Sequence, residues 1–239
     1  MSRVVGIDGC PVGWVCCAME AGSPDTLTAR VFTAFADVLD AFPDASVLVI
    51  DVPIGLLDTP EPGGREVDRV VRAALGPGRG SSVFPAPARV VFNATSYAHA
   101  RALSTASSAH GISLSAQAFN IVAKIKEVDD LMTPKAQQRV VEIHPELCFA
   151  QMQGGRSLEP SKKTDDGREL RAQLLASQGF SGVANVLRSV PRRLAAIDDV
   201  LDAMAACWTA GRVAAGIAQR LPDGEPPTDS RGLRMEMWC

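Results

Sequence analysis

The sequence has few aromatic residues, no long uninterrupted apolar run and no strong excess of either charge. Only 5% of its 239 residues are Phe, Trp or Tyr, so a platform of aromatic rings for stacking bases is not expected. Lys and Arg number 24 against 27 Asp and Glu, so the formal net charge is -3. No global positive field therefore draws the chain to nucleic acid or to an anionic membrane, and contact with a polyanion needs a local patch.

Several classes of protein have no support in the sequence. The first apolar run ends at Asp8, which is too early for the hydrophobic core of a secretory signal. The most apolar stretch, 195–218, holds three aspartates and an arginine, so it is too polar to span a bilayer. We therefore expect a cytoplasmic protein without membrane contact. No C-x-x-C pair, zinc spacing, G-x-S-x-G elbow, dinucleotide fingerprint or P-loop is present.

The order of apolar patterns predicts an α/β fold with a mixed sheet flanked by helices. Three strands joined by short turns come first, then a helix, a buried strand, a helical insertion, a further strand and a long closing helix. The strands are expected at 4–8, 14–20, 28–34, 46–51 and 138–144, and the helices outside the insertion at 35–42, 168–178 and 195–218. The chain is predicted to be one domain, 1–239, with the helical insertion at 53–137 and a C-terminal tail at 222–239.

Acidic residues fall at the ends of these elements. Asp8 ends the first strand, Asp51 ends the fourth, and Glu142 lies near the end of the fifth. If these strands are parallel neighbours, their carboxyl ends meet at one edge of the sheet, where open α/β sheets place ligands. Asp199 and Asp202 open the closing helix and are three apart, so they share one helix face, from which the adjacent Asp198 points away.

Carboxylates gathered at one place repel one another and raise their own pKa values unless a cation neutralises them. Hard oxygen ligands select Mg²⁺ or Mn²⁺. We therefore expect a metal-dependent phosphodiesterase or nuclease in which Asp8 bridges two ions. Asp51 and Glu142 complete one coordination shell, and Asp199 or Asp202 holds the other ion.

Four segments carry a family resemblance: VVGIDGCPVGWV, LVIDVPIGL, VVEIHPELCF and IDDVLDAMAAC. Together they resemble the uncharacterised family of predicted RNase H-like nucleases. The resemblance implies an RNase H-like five-stranded sheet in the order 3-2-1-4-5 with strand 2 antiparallel, and the acids at the carboxyl edge. Asp8 and Asp51 match the first two acids of that pattern. DDVLDA is similar to the closing acidic helix of RuvC-type Holliday-junction resolvases, which matches Asp199 and Asp202.

Basic residues provide candidates for binding phosphate. Arg65, Arg69 and Arg72 fall at helical spacing on one face, although such a face is more often solvated. Further substrate-binding candidates are Arg89, Lys124, Lys163 and His144. The polar loop 154–167, which carries Lys162 and Lys163, is expected to be mobile and to serve as a lid.

The substrate is expected to be nucleic acid or a smaller phosphodiester, and the oligomeric state is left open. Two other functions remain as alternatives. One is a nucleotide-dependent phosphotransferase or ATPase of the same superfold, for which GIDGCPVGW supplies a glycine-rich turn only loosely. The other is a non-catalytic binding protein that has kept the fold.

Overall fold

The computed structural model describes residues 2–239, and the contacts of the chain divide it into two compact units. The core unit comprises the residues up to 52 together with 139–219 and 238–239. The insertion unit comprises 53–138 and 220–237, so it contains the predicted insertion and most of the predicted tail. The expectation of a single domain stays a prediction.

The chain forms seven strands and eight α-helices between residues 2 and 239. In chain order they are β1 Arg3–Cys10, β2 Gly13–Glu20, β3 Ser23–Phe32, α1 Phe35–Ala41, β4 Ala45–Ile50, α2 Glu66–Arg79, α3 Tyr97–Ser107, α4 Ala116–Leu131, β5 Val140–Glu142, α5 Pro145–Met152, α6 Asp165–Ser177, α7 Val183–Ser189, α8 Ile197–Ala214, β6 Arg220–Leu221 and β7 Met237–Trp238. None of the helices in this part of the chain is long and apolar enough to cross a membrane.

The first five strands form a mixed sheet in the order β3-β2-β1-β4-β5. β2 pairs antiparallel with β1 and β3, whereas β1, β4 and β5 run parallel. The predicted strand order is therefore confirmed. Ile7 lies opposite Ile50, and Ile50 lies opposite Glu142, so the carboxyl ends of the three parallel strands reach the same edge.

Successive side chains of a strand point to opposite faces of the sheet. Val4, Val49 and Val141 belong to the core cluster that α8 completes, so every second residue from them lies on the α8 face. Asp8 and Asp51 are in phase with these valines. Both carboxylates therefore leave the sheet on the side that α8 covers.

α8 lies against β1 at a distance that only glycine allows. A Cβ atom added to Gly6 would lie 2.0 Å from the amide nitrogen of Cys207 and 2.2 Å from the carbonyl oxygen of Ala203. The facing turns of α8 are made of small buried residues, including Ala203 and Ala206. This close approach places the N-terminal half of the helix beside the carboxyl ends of β1 and β4.

The structure differs from the sequence prediction at the start of α6 and in the presence of α5. α6 begins at Asp165, three residues early, because the Thr164 side chain caps the helix by accepting a hydrogen bond from the Gly167 amide. α5 was not predicted, because its eight residues are buried almost throughout and show no amphipathic period. Pro145 stands at its first position, where a missing N–H costs nothing.

The insertion unit has an apolar core of its own. Val91, Ala100, Leu114 and Val122 form a buried cluster, and Phe119 packs against it. α2 is interrupted at Gly76, whose φ of 64° breaks the helix immediately before Pro77.

The contact between Gly6 and α8 gives the first prediction. Gly6→Ala should lower the free energy of unfolding by more than about 3 kcal/mol, because the added methyl meets backbone atoms that cannot rotate away. Urea unfolding followed by circular dichroism measures this change. Gly182→Ala is the matched control, since its φ is -89° and nothing lies within 4 Å of the added carbon. A Gly6→Ala variant as stable as this control would contradict the close packing.

Candidate functional site

Three buried or half-buried carboxylates meet at the carboxyl edge of the sheet, and we call Asp8, Asp51 and Asp202 the acid trio. The Asp51 amide donates to the Ile7 carbonyl oxygen over 3.1 Å, which ties the ends of β1 and β4 together. Asp202 projects from α8 and is completely buried. Asp8 feels the charges of both partners, so the two strand ends and the helix deliver their acids to one place.

The acid trio is short of positive charge. Burial raises the pKa of Asp8 well above its ordinary range, and repulsion from Asp51 and Asp202 raises it further. Burial also raises the pKa of Asp51 to about 7, with Lys162 opposing the shift and Asp202 adding to it. The pKa of Asp202 is raised by burial as well, against the attraction of Lys162. Each shift shows that the ionised form lacks a sufficient partner.

Two consecutive lysines provide the cations that the site has. Lys162 Nζ lies 2.5 Å from Asp202 Oδ2, and Lys163 Nζ lies 2.5 Å from Asp198 Oδ2. Burial lowers the pKa of Lys162, but the attraction of the acid trio is stronger than this effect. The pKa of Lys162 therefore lies above its ordinary value. From the sequence, Lys163 is expected to bind substrate, whereas Lys162 is expected only to lie in the lid loop. The sequence does contain a signal for this role of Lys162. Two adjacent lysines can pair with two acids that lie one helical turn apart, as Asp198 and Asp202 do.

A buried arginine fastens the loop that carries these lysines. Arg171 on α6 is fully buried and donates to Glu146 Oε1 over 2.5 Å, to the Pro160 carbonyl over 3.1 Å and to the Gly167 carbonyl over 2.9 Å. A Cβ atom on Gly167 would lie 1.9 Å from the carbonyl oxygen of Ser161, so helix and loop are in close contact. The loop expected to be a mobile lid is therefore anchored at its backbone.

Glu142 needs a correction. It lies opposite Ile50 in the register, one residue out of phase with Asp51, so its side chain leaves the sheet on the other face. Its charge still contributes to the raised pKa of Asp51. The acid from this segment that acts on Asp202 is Glu146, in the first turn of α5, which the sequence analysis did not select.

The acids at the start of α8 have different partners. Asp199 Oδ2 accepts a hydrogen bond from the Ala196 amide over 2.9 Å, so this carboxylate caps its own helix, although its charge still reaches Asp8. Burial alone would raise the pKa of Asp198, but the hydrogen bond from Lys163 lowers it below its ordinary value. The two lysines thus bind Asp198 and Asp202, which are four residues apart, and the role of Asp199 as a metal ligand stays a prediction.

The acid trio fits a divalent cation in donor type and in charge. Asp202 Oδ1 is buried and has no hydrogen-bond partner. Three carboxylates facing one ammonium leave two negative charges, and hard oxygen donors suit Mg²⁺ or Mn²⁺. Within residues 2–239, however, no group of three or more His, Cys, Asp or Glu side chains stands ready to hold a metal ion. Binding therefore requires the side chains to rearrange.

The elements that carry this site lie within a segment that matches a known protein family. A family model described as protein of unknown function (DUF429) matches residues 6–226, which include the acid trio, both lysines and Arg171. The chain belongs to the DUF429 family. No curated protein and no solved structure matches the chain.

In this DUF429 chain two of the arginines predicted to bind substrate are structural. Arg65 is 1% exposed and donates to Asp68 and to the carbonyl oxygens of Ile54 and Gly55. We therefore correct its assignment, because a buried and saturated guanidinium has no surface for a phosphate.

Arg89 needs the same correction. It forms ion pairs with Asp129 at 2.8 Å and with Asp229 at 2.5 Å, and Arg231 joins the network through Asp129. These ion pairs hold the C-terminal segment of the insertion unit against α4. Arg89 is therefore bound to carboxylates within the unit.

The other predicted contacts of the DUF429 chain are distributed over both units. Arg69 donates to the Gly64 carbonyl and Arg72 to the Val83 carbonyl, so both organise loops next to α2. Lys124 is half-buried on α4. His144 is half-buried at the N-cap of α5, between Glu142 and Glu146 in the chain.

The raised pKa of Asp51 predicts how the stability of the metal-free protein depends on pH. The folded state holds a proton on Asp51 up to about pH 7, whereas the unfolded state loses it near pH 4. The contribution of Asp51 to the free energy of unfolding must therefore fall as the pH rises through this window. Asp51→Asn should remove that fall and stabilise the protein at about pH 7.5 by on the order of 1 kcal/mol or more.

Urea unfolding in EDTA at about pH 5 and about pH 7.5 measures this effect. Asp25→Asn, an exposed carboxylate on β3, is the control and should change neither value. If Asp51→Asn were less stable than the wild type at the higher pH, this would contradict the conclusion that ionised Asp51 lacks sufficient positive charge around it.

The ion pair between Arg171 and Glu146 gives a further prediction. Arg171→Met leaves a buried carboxylate without its cation, so the free energy of unfolding should fall by about 3–5 kcal/mol. The double variant with Glu146→Gln should recover part of the loss, because the uncompensated charge is removed as well. Thermal and urea unfolding test both. Arg188→Gln, at an exposed hydrogen bond to Asn185, should have little effect.

Proposed function

We propose that this DUF429 chain is a divalent-metal-dependent phosphodiester hydrolase of RNase H-like fold that acts on nucleic acid or on a smaller phosphodiester. The observation that carries the proposal is the unpartnered buried oxygen of Asp202 inside a trio of acids with raised pKa values. Burial and mutual repulsion disfavour the ionised form of such a group, and one lysine compensates only one of its three charges, so a divalent cation would stabilise it further.

The topology supports the same proposal. A five-stranded sheet in the order β3-β2-β1-β4-β5 with β2 antiparallel agrees with the RNase H-like fold that the sequence motifs resemble. Two acids at the ends of the central parallel strands and one on the closing helix occupy the positions which that resemblance implies. Fold alone assigns no reaction, so the proposal depends on the chemistry of the acids.

The acid trio would hold the metal through Asp8, Asp51 and Asp202. A bound Mg²⁺ or Mn²⁺ supplies Lewis acidity, which lowers the pKa of water and neutralises charge on a phosphodiester. The chain itself provides the carboxylates and removes much of their water by burial, which strengthens their attraction for a cation. Lys163, whose side chain is 71% exposed at the rim, offers a positive charge to a phosphate.

Protons must leave Asp8 and Asp51 before the trio binds a cation. Because the pKa values of both are raised, metal affinity and hydrolysis should increase as the pH rises through neutrality. The phosphotransferase alternative has less support. The Gly9 amide, near the end of β1, donates to Asp8 Oδ1 over 2.7 Å, so it is not presented to a nucleotide phosphate.

The test is cleavage of a panel of DNA, RNA, hybrid and branched oligonucleotides and of a chromogenic phosphodiester with Mg²⁺ or Mn²⁺. Asp8→Asn and Asp202→Asn should each lower the rate by at least about a hundredfold, because each removes a cation ligand. Asp25→Asn, on the exposed side of β3, should keep the rate of the wild type. Activity that survives Asp8→Asn or excess EDTA would refute the proposal. Thermal stabilisation by nucleotides without any diester cleavage would favour the phosphotransferase instead.

A further inference from the structure

The side chain of Lys162 has an unusual environment for a single lysine. Its ammonium bonds one oxygen of Asp202, while the second oxygen of the same carboxylate is buried without a partner. It also attracts Asp8 and Asp51, so one cation serves all three members of the acid trio. The side chain is nevertheless 35% exposed, which leaves it a route to solvent.

The backbone beneath this lysine is fixed. Arg171 holds the Pro160 carbonyl, Ser161 packs against Gly167, and Thr164 caps α6. Rotation about the four-carbon stem of Lys162 is therefore the simplest movement that takes its ammonium out of the acid trio.

We propose that Lys162 is a tethered cation that occupies the acid trio in the metal-free protein, gives way to a divalent ion, and then binds the phosphate that the ion attracts. This inference rests on the proposed function and adds to it a second ligand for the substrate phosphate. The displaced ammonium stays on an anchored loop beside the trio. A phosphate drawn to the bound ion therefore meets a positive charge already in place.

Lys162 and a divalent ion compete for the acid trio because both are attracted by its negative charge. Once its carboxylates are ionised, the trio with Lys162 in place carries two uncompensated negative charges, and without the ammonium it carries three. A divalent ion is attracted more strongly to the second state, and Asp202 Oδ2 is then free to bind it.

Lys163 offers a matched comparison on the same loop. It is the adjacent residue, carries the same charge and forms an ion pair of the same length, but its partner Asp198 lies outside the trio. Removing Lys163 should therefore leave the competition unchanged.

The test is calorimetric titration of the metal-free full-length protein with Mn²⁺ at about pH 8, which lies above the raised pKa of about 7 of Asp51. Lys162→Gln and the longer Lys162→Met should bind Mn²⁺ at least about tenfold more tightly than the wild type. Lys162→Arg keeps the charge and should bind no more tightly than the wild type, and Lys163→Gln should stay within about twofold. With saturating Mg²⁺, Lys162→Gln should bind inorganic phosphate about tenfold more weakly.

Thermal unfolding shows whether the variants are folded and gives a second readout. Lys162→Gln should melt at a lower temperature than the wild type in EDTA and should gain more from added Mn²⁺. Equal or weaker Mn²⁺ binding by both neutral variants would overturn the inference while the proposed function stands. If neither the wild type nor any variant binds Mn²⁺, the inference and the proposed function both fail.

Discussion

The confinement of three carboxylates to one poorly hydrated place is the constraint on which the candidate site depends. β1 and β4 are parallel neighbours, so Asp8 and Asp51 lie side by side at the carboxyl ends of these strands. α8 approaches β1 so closely at Gly6 that Asp202 has to lie against them. The repulsion and the lost hydration of these acids oppose folding, and the positive charge of Lys162 offsets only part of that cost.

The surrounding residues are arranged to keep that single positive charge in place. Arg171 pairs with Glu146 and offsets the repulsion that this acid exerts on Asp202. The same guanidinium fixes the loop backbone, and Lys163 neutralises Asp198 at the rim. These pairs leave the acid trio with more negative than positive charge, which a metal-dependent reaction would use.

Part of this arrangement was predictable from the sequence. Asp8 and Asp51 each follow a run of buried β-branched residues, so their positions at strand ends and on one sheet edge could be inferred without coordinates. Asp202 lies within a helix of small residues, which indicates close packing. That Asp199 also caps its own helix was not predictable, because whether an acid near a helix start accepts from the backbone depends on local geometry.

The rest depends on long-range geometry. β5 has only three residues, so a shift of one position decides whether Glu142 or its neighbours face α8, and the sequence pattern did not determine that phase. Lys162 and Asp202 are forty residues apart, and their pairing follows from the anchoring of a loop that looked mobile. Arg65 and Arg89 follow the pattern of a solvated basic surface, but buried aspartates bind both.

The central claim is that the acid trio is a divalent cation site. A crystal structure of the protein soaked in Mn²⁺, with anomalous data collected at the manganese edge, tests it most directly. We expect an anomalous peak bonded to carboxylate oxygens of Asp8, Asp51 and Asp202, with the Lys162 ammonium no longer on Asp202. An acid trio without a peak, with Lys162 still bonded to Asp202 at saturating Mn²⁺, would contradict it.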